Sequence, residues 1–246
     1  MTLGKSDRNK QRIDYLFNTD LKIIQSSDLF PFSLDSVLLA RFVHVPIQKG
    51  RLVDLCTGNG VIPFLLTGRT KGRITGVEIQ PQVCDLAKRG AAINHLEDRV
   101  SFICGDAKDL PERLGRNSCD VVTCNPPYFN QQQARDLKQN KSIAIARHEI
   151  LITLNDVVET AGKLLRQNGK FAMVHRPERL VEILADMRSC GMEPKRLQFV
   201  HPRREMAANM VLVEGTKGGK PGLTVLPPIA VYGADGHYTE DVWPEE

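Results

Sequence analysis

The sequence predicts an α/β protein built on one doubly wound, mostly parallel sheet of seven strands, one of them reversed. Three observations carry this. From about residue 51 onward, short apolar runs alternate with amphipathic stretches, the pattern of strands joined by helices on both faces of a sheet. Only the seven residues "PRREMAA" separate the last two strand-like runs, too few for a parallel crossover, so those strands are antiparallel neighbours. The first strand-like run, "RLVDLC", passes directly into the glycine-rich "TGNG", which opens a helix.

Each element has its own signal. "YLFNTDLKIIQ" (15–25) reads as a hairpin, and "SLDSVLLARFV" (33–43) as a helix capped by Ser33. The sheet begins with "RLVDLC" (51–56), followed by a helix from about Val61. "RITGVEI" (73–79) is the second strand, and "PQVCDLAKRGAAINHL" (81–96) a helix with Pro81 in its first turn. "RVSFICGD" (99–106) and "CDVVTCN" (119–125) are the third and fourth strands. In "TLNDVVETAGKLLRQNG" (153–169), Thr153 and Asp156 form a variant capping box. Val157, Val158, Ala161, Leu164 and Leu165 share one face of that helix, and Gly169 is expected to end it. "KFAMVH" (170–175), the helix "ERLVEILADMRSCG" (178–191), "RLQFVH" (196–201) and "NMVLVEG" (209–215) complete the series. Residues 215–246 are Gly- and Pro-rich with few strand signals. The expectation is one domain over 1–246, with an N-terminal hairpin and helix extension (1–50) and a C-terminal tail (215–246).

Composition bounds the rest. At 41% hydrophobic and 25% charged, the chain is ordinary globular material, and no apolar run approaches a membrane span. The basic start "MTLGKSDRNKQR" has no apolar stretch behind it and is not read as a secretory signal. The six cysteines form no CxxC pair and no metal-ligand spacing, so they are read as reduced thiols of a cytoplasmic protein that holds no metal. A net charge of +4 permits an anionic partner without requiring one. Basic residues gather at Lys5, Arg8, Lys10 and Arg12, and again at Arg203, Arg204, Lys217 and Lys220.

The carboxyl ends of the first three strands carry acids. "VDLCTGNGV" places Asp54, Gly58 and Gly60 between a strand and a helix, where a ligand can approach the backbone. Glu78, twenty residues after Gly58, is positioned to accept both hydroxyls of a ribose. The third glycine of a dinucleotide fingerprint is missing, because Pro63 stands there. Asp54 would face a pyrophosphate poorly and suits an ammonium; Asp106 can take the amine of an adenine. A ligand with ribose, adenine, ammonium and no phosphate matches this set, and S-adenosylmethionine is one.

Asp54 to Gly60, Glu78, Asp106 and "NPPY" (125–128) together resemble the class I S-adenosylmethionine-dependent methyltransferases that act on planar amine or amide nitrogens. "NPPYF", "ARHE" (146–149) and the tail "NMVLVEGTKGGKPGLTVLPPIAVY" further resemble the bacterial tRNA(Val) adenine-N6 methyltransferase family, from "FPFSLDSVLLA" to "YTED". The resemblance implies a Rossmann-like methyltransferase fold, with S-adenosylmethionine as cofactor and tRNA as partner. It implies a cofactor set of Asp35, Asp54, Thr57, Gly58, Asn59, Gly60, Glu78, Ile79, Asp106, Ala107 and Asn125. Cys56 departs from it, standing where many relatives have glycine.

The chemistry at Asn125, Pro126, Pro127 and Tyr128 follows from the acceptor. An exocyclic adenine amine is a poor nucleophile, because its lone pair is delocalised into the ring. Two hydrogen-bond acceptors, the Asn125 side-chain oxygen and the Pro126 carbonyl, can hold its N–H bonds and stabilise the developing positive charge. The prolines stiffen the turn, and Tyr128 offers a face for a stacked base. Neither metal nor covalent nucleophile is needed. Beyond Phe129, "NQQQARDLKQNKSIAIARHEI" is long for a connection and suits a lid. Arg135, Lys138, Arg147, His148, Arg203, Arg204 and Lys217 are candidate RNA contacts.

Other readings stay open. The same motif serves enzymes that methylate a glutamine amide, rRNA guanine or DNA adenine. An NAD-dependent dehydrogenase would explain Gly58, Gly60 and Glu78, but not "NPPY", Asp106 or the reversed strand. An RNA-binding protein with a dead cofactor fold would have no use for Asp54, Glu78 and Asn125 together.

Overall fold

The computed structural model describes residues 10–16, 19–29, 33–126, 128 and 151–242. The chain opens with an antiparallel hairpin of β1 (Gln11–Tyr15) and β2 (Lys22–Ser26), then helix α1 (Leu34–Phe42). Ser33 sits at the α1 N-cap, though its side chain makes no capping hydrogen bond. Next come β3 (Arg51–Leu55), α2 (Val61–Thr67), β4 (Arg73–Glu78), α3 (Pro81–Ile93), β5 (Val100–Cys104), α4 (Leu110–Leu114) and β6 (Cys119–Cys124). After the undescribed stretch follow α5 (Leu154–Leu164), β7 (Leu165–His175), α6 (Leu180–Ser189), β8 (Met192–His201), β9 (Met210–Lys217), β10 (Thr224–Val225) and β11 (Ile229–Ala230).

The central strands run in the order β5-β4-β3-β6-β7-β9-β8. Neighbours from β5 through to β7 are parallel, and β9 is antiparallel to both β7 and β8. That is the doubly wound sheet with its one reversed strand. The order switches direction between β3 and β6, which opens a crevice at the carboxyl ends of those two strands. Alternation along each strand feeds two cores. Leu52 and Val121 join α1, α2 and α3 on one face, while Val53 and Val122 join α5 and α6 on the other. α1 is part of the first core, with Val37, Leu38, Leu39, Ala40 and Phe42 all buried.

Three expectations change. α5 has the capping box of Thr153 and Asp156, but it ends at Leu164 rather than at Gly169. Leu165 is fully buried and already pairs with Cys119, so the sheet claims the chain there. Gly169 is required for space instead: a Cβ would lie 2.9 Å from the Arg166 carbonyl oxygen and 3.1 Å from that of Cys119. The tail also contributes strands. β10 and β11 each pair parallel to β8, covering the edge that a seven-stranded sheet would leave open. Finally, Cys84 of α3 and Cys104 of β5 are joined by a disulfide, with Cα atoms 5.8 Å apart, which corrects the reading of six reduced thiols. The two come from a helix and a strand without any spacing signature, and only the fold brings them within bonding reach. Among the described residues no helix is long and apolar enough to cross a membrane.

Candidate active site

The chain leaves β3 through three left-handed residues, Cys56 (φ 55°), Gly58 (φ 59°) and Gly60 (φ 95°). The two glycines serve different needs. A Cβ on Gly60 would lie 2.8 Å from Phe102 Cζ, whereas one on Gly58 would project into open space. The Thr57 N–H donates to Val77 O at 2.9 Å, tying the loop to β4. Glu78 ends β4 nearly buried; its Oε2 accepts the Gly58 N–H at 3.1 Å and its Oε1 the Gln80 N–H at 2.9 Å. Burial raises the pKa of this carboxyl, and the backbone N–H groups pull it back.

Asp54 differs. It is fully buried on the α1 face of β3, and its Oδ1 accepts the Thr123 hydroxyl at 2.6 Å. Its Oδ2 and the Thr57 hydroxyl are buried without a hydrogen-bond partner. Burial pushes the Asp54 pKa up to about 7, against the pull of the bonded Thr123 hydroxyl and of the nearby Thr57 hydroxyl. A buried carboxylate with a bare oxygen is costly unless a proton or a cation meets it. The donor set therefore fits a ligand that carries an ammonium. Asp106 is half-buried; its Oδ1 accepts the Lys108 N–H at 2.9 Å, and Ala107 is buried beside it. Ile79 is half-buried next to Glu78. The Asn59 side chain instead turns to the hairpin, donating to Ile24 O at 3.1 Å.

Leu55 and Cys124 pair in register, so Asn125 emerges beside the glycine loop. The Asn125 Nδ2 donates to Ser36 Oγ at 2.9 Å. The Tyr128 hydroxyl stands 2.5 Å from Asn125 Oδ1 and 2.6 Å from Asp35 Oδ2. Asp35 and Ser36 open the first turn of α1, so that helix contributes to the site directly. Asp35, expected on the cofactor, has its carboxylate on the Tyr128 hydroxyl. The Tyr128 ring packs against His175, with centroids 5.3 Å apart and planes at 58°. Burial, and then the Asp35 charge, push the Tyr128 pKa well up.

His175 ends β7 with no solvent exposure. Its Nδ1 accepts the Arg176 N–H at 2.8 Å, which leaves the proton on an Nε2 that has no partner. Burial, with Arg179 nearby, lowers its pKa to about 4, so the ring is neutral. Ser36 lies within "FPFSLDSVLLA", beside Asp35, with no role read for it, and no motif marked His175. The one available signal was a polar residue at the carboxyl end of the apolar run "KFAMVH".

The remaining candidates separate. Pro126 is buried; Pro127, Arg135, Lys138, Arg147 and His148 lie outside the described residues. Arg203 and Arg204 follow β8 at the carboxyl edge, where Arg203 donates to Gly233 O at 3.3 Å and Arg204 is exposed. Lys217 sits at the opposite edge of the sheet. Its ammonium donates to Gly162 O at 2.6 Å, Leu165 O at 2.7 Å and Asn117 Oδ1 at 2.7 Å. It satisfies carbonyls around the α5 terminus, at the edge of the sheet away from Asn125.

A family model described as a methyltransferase domain matches residues 48–197. A Porphyromonas gingivalis protein named tRNA1(Val) (adenine(37)-N6)-methyltransferase is 30% identical over 134 residues, 53% of this chain and 51% of that protein. The chain thus spans about half the length of that relative. A ribosomal protein uL3 glutamine methyltransferase of Bordetella pertussis is 31% identical over 139 residues, 56% of this chain and 44% of that protein. Among solved structures, an Agrobacterium tumefaciens protein described as a predicted O-methyltransferase superposes with a TM-score of 0.67 at 22% identity, covering 85% of this chain and 94% of that one. At that identity the likeness speaks to the fold.

Proposed function

Because the chain belongs to the methyltransferase domain family, we propose that it transfers a methyl group from S-adenosylmethionine to the exocyclic N6 amine of an adenine in tRNA, next to the anticodon of tRNA(Val). The observation that carries this reading is the Asn125 side-chain oxygen, held beside the glycine loop by the Asn125–Ser36 hydrogen bond and turned toward Tyr128. The tRNA part is supported by the name of the Porphyromonas relative.

When bound, the cofactor supplies a methyl group made electrophilic by a sulfonium. Asp54 would hold its ammonium, Glu78 its ribose hydroxyls and Asp106 its adenine amine. Asn125 Oδ1 and the Pro126 carbonyl accept the two N–H bonds of the substrate amine, which turns its lone pair toward the methyl. They would also stabilise the positive charge on that nitrogen until it loses a proton to solvent. Tyr128 stacks on the base, an interaction of ~1–3 kcal/mol.

A second reading has its own support. The Bordetella relative is named for a glutamine side chain, whose planar amide presents the same two N–H bonds. One experiment decides. Labelled methyl is offered with total tRNA and with ribosomal proteins, and the labelled product is digested and identified. N6-methyladenosine in tRNA is the expected result; label on a glutamine amide would replace it with the second reading.

A further inference from the structure

One phenol proton faces two acceptors. The Tyr128 oxygen lies 2.6 Å from Asp35 Oδ2 and 2.5 Å from Asn125 Oδ1, and it has a single proton to donate. A carboxylate is the stronger acceptor, since a charge-assisted hydrogen bond is roughly twice as strong as a neutral one. The amide stands with its Nδ2 donating to Ser36 Oγ at 2.9 Å and its Oδ1 toward the phenol; the turned amide, which the Ser36 hydroxyl could also serve as a donor, is the alternative that the rescue experiment below separates. With the proton on the Asp35 side, the Asn125 oxygen meets the phenol oxygen lone pair to lone pair. That contact is unfavourable, and an incoming N–H relieves it.

We infer that Asp35 is a positioning residue that draws the Tyr128 proton off Asn125 and so leaves the Asn125 oxygen open to the N–H of the substrate. This rests on the proposed role of Asn125 in holding the methyl-accepting nitrogen. It also moves Asp35 from the cofactor to the substrate side of the site. Ring packing on His175 at 5.3 Å keeps the phenol where the two acceptors compete for it. Burial and the Asp35 charge both keep the proton on the phenol, so Tyr128 remains a donor rather than a phenolate.

The consequence is a specific non-additivity. In Asp35→Asn the carboxylate is gone, the phenol proton falls to Asn125, and the substrate must displace it. The substrate KM should rise about five- to tenfold, the value of one neutral hydrogen bond, with cofactor affinity unchanged. Tyr128→Phe removes the competing proton, so Asp35→Asn/Tyr128→Phe should return to the KM of Tyr128→Phe alone. A merely structural Asp35 would give additive losses.

The kinetics use whichever substrate the wild type methylates. A second measurement needs no substrate: the protein is labelled with ¹³Cζ-tyrosine, and of its four tyrosines the Tyr128 signal is the one missing in Tyr128→Phe. That signal should move in Asp35→Asn while the other three stay. If wild type methylates no tRNA, the functional reading fails and the spectrum alone decides the role of Asp35. An unmoved Tyr128 signal overturns the inference. So does a KM loss that Tyr128→Phe does not rescue, because Asn125 would then present its NH2, not its oxygen, to the phenol.

Discussion

β3 and β6 are hydrogen-bonded neighbours, with Leu55 opposite Cys124, yet the chain leaves them by opposite means. Past Leu55 it bends through three left-handed residues within five positions, Cys56, Gly58 and Gly60. Past Cys124 it runs into Asn125 and a buried Pro126. The first exit exposes backbone at Gly58 and places carboxylates around it; Glu78, which binds the Gly58 N–H, comes from the next strand. The second exit presents side chains, and the groups that orient them, Asp35 and Ser36, lie 93 and 89 residues away from their partners. One half of the site is a local backbone cradle. The other is assembled from distant segments.

If the halves are functionally separate, their variants should part cleanly. Asn125→Ala should lower turnover by at least ~100-fold, the usual loss when an oriented group that stabilises developing charge is removed, with cofactor affinity intact. Glu78→Ala should do the reverse, weakening the cofactor by roughly 10- to 100-fold through lost charged hydrogen bonds while sparing turnover at saturation. Calorimetry with the cofactor and a labelled-methyl assay read the two effects; equal losses in both assays from either variant would dissolve the distinction.

The Cys84–Cys104 bond lies on the glycine-loop side alone, tying α3 to β5 just before Asp106. A cross-link closing a loop of this size is worth about 3 kcal/mol. Reduction, or Cys84→Ser, should therefore lower the melting temperature by roughly 6–12 °C. A melting curve that ignores reductant would mean these thiols are not joined in solution.

The halves also differed in how far they could be read in advance. Asp54, Gly58, Gly60 and Glu78 act through neighbours a strand apart, and the strand–glycine–helix pattern displays them together. Asn125 and Tyr128 were legible as a motif, but the helix that holds them was not, because nothing near "NPPY" points to "FPFSLDSVLLA". Lys217 looked like one more surface cation until β9 brought it under the α5 terminus. The α5 boundary failed for a related reason. Gly169 looks like a helix stop, while the competing demand, the pairing of Leu165 with Cys119, is a contact across the sheet.

A smaller effect tests the charge at Asp54, on the glycine-loop side. Asp54 has its pKa raised from 3.8 to about 7, so the folded apo protein holds a proton that the unfolded chain releases. Apo stability should consequently decline as pH rises from about 4 to about 7. Cofactor binding has the opposite sign, because an ammonium favours the ionised form. Affinity should climb by up to about tenfold per pH unit below 7 and then level off, and Asp54→Asn should flatten the slope. Calorimetry across pH 5.5–7.5, at roughly half-unit steps, would expose a slope unaffected by Asp54→Asn and so remove Asp54 from the ammonium site.

The smallest effect asks whether the cradle is strained. Cys56 holds φ 55° with a side chain, a conformation that costs a non-glycine residue about 1–2 kcal/mol. Cys56→Gly relieves that cost but frees the unfolded chain by about 0.5–1 kcal/mol and loses the packing of the sulfur against the α5–α6 core. The net change should lie within about 1 kcal/mol of zero. Cys56→Ala loses the same sulfur and keeps the left-handed strain, so it should be the less stable of the two, reversing the usual preference for alanine over glycine. Denaturant unfolding of the pair measures the order directly. If alanine were the more stable, the left-handed turn at Cys56 would not be the geometry that sets the loop, and the cradle would rest on Gly58 and Gly60 alone.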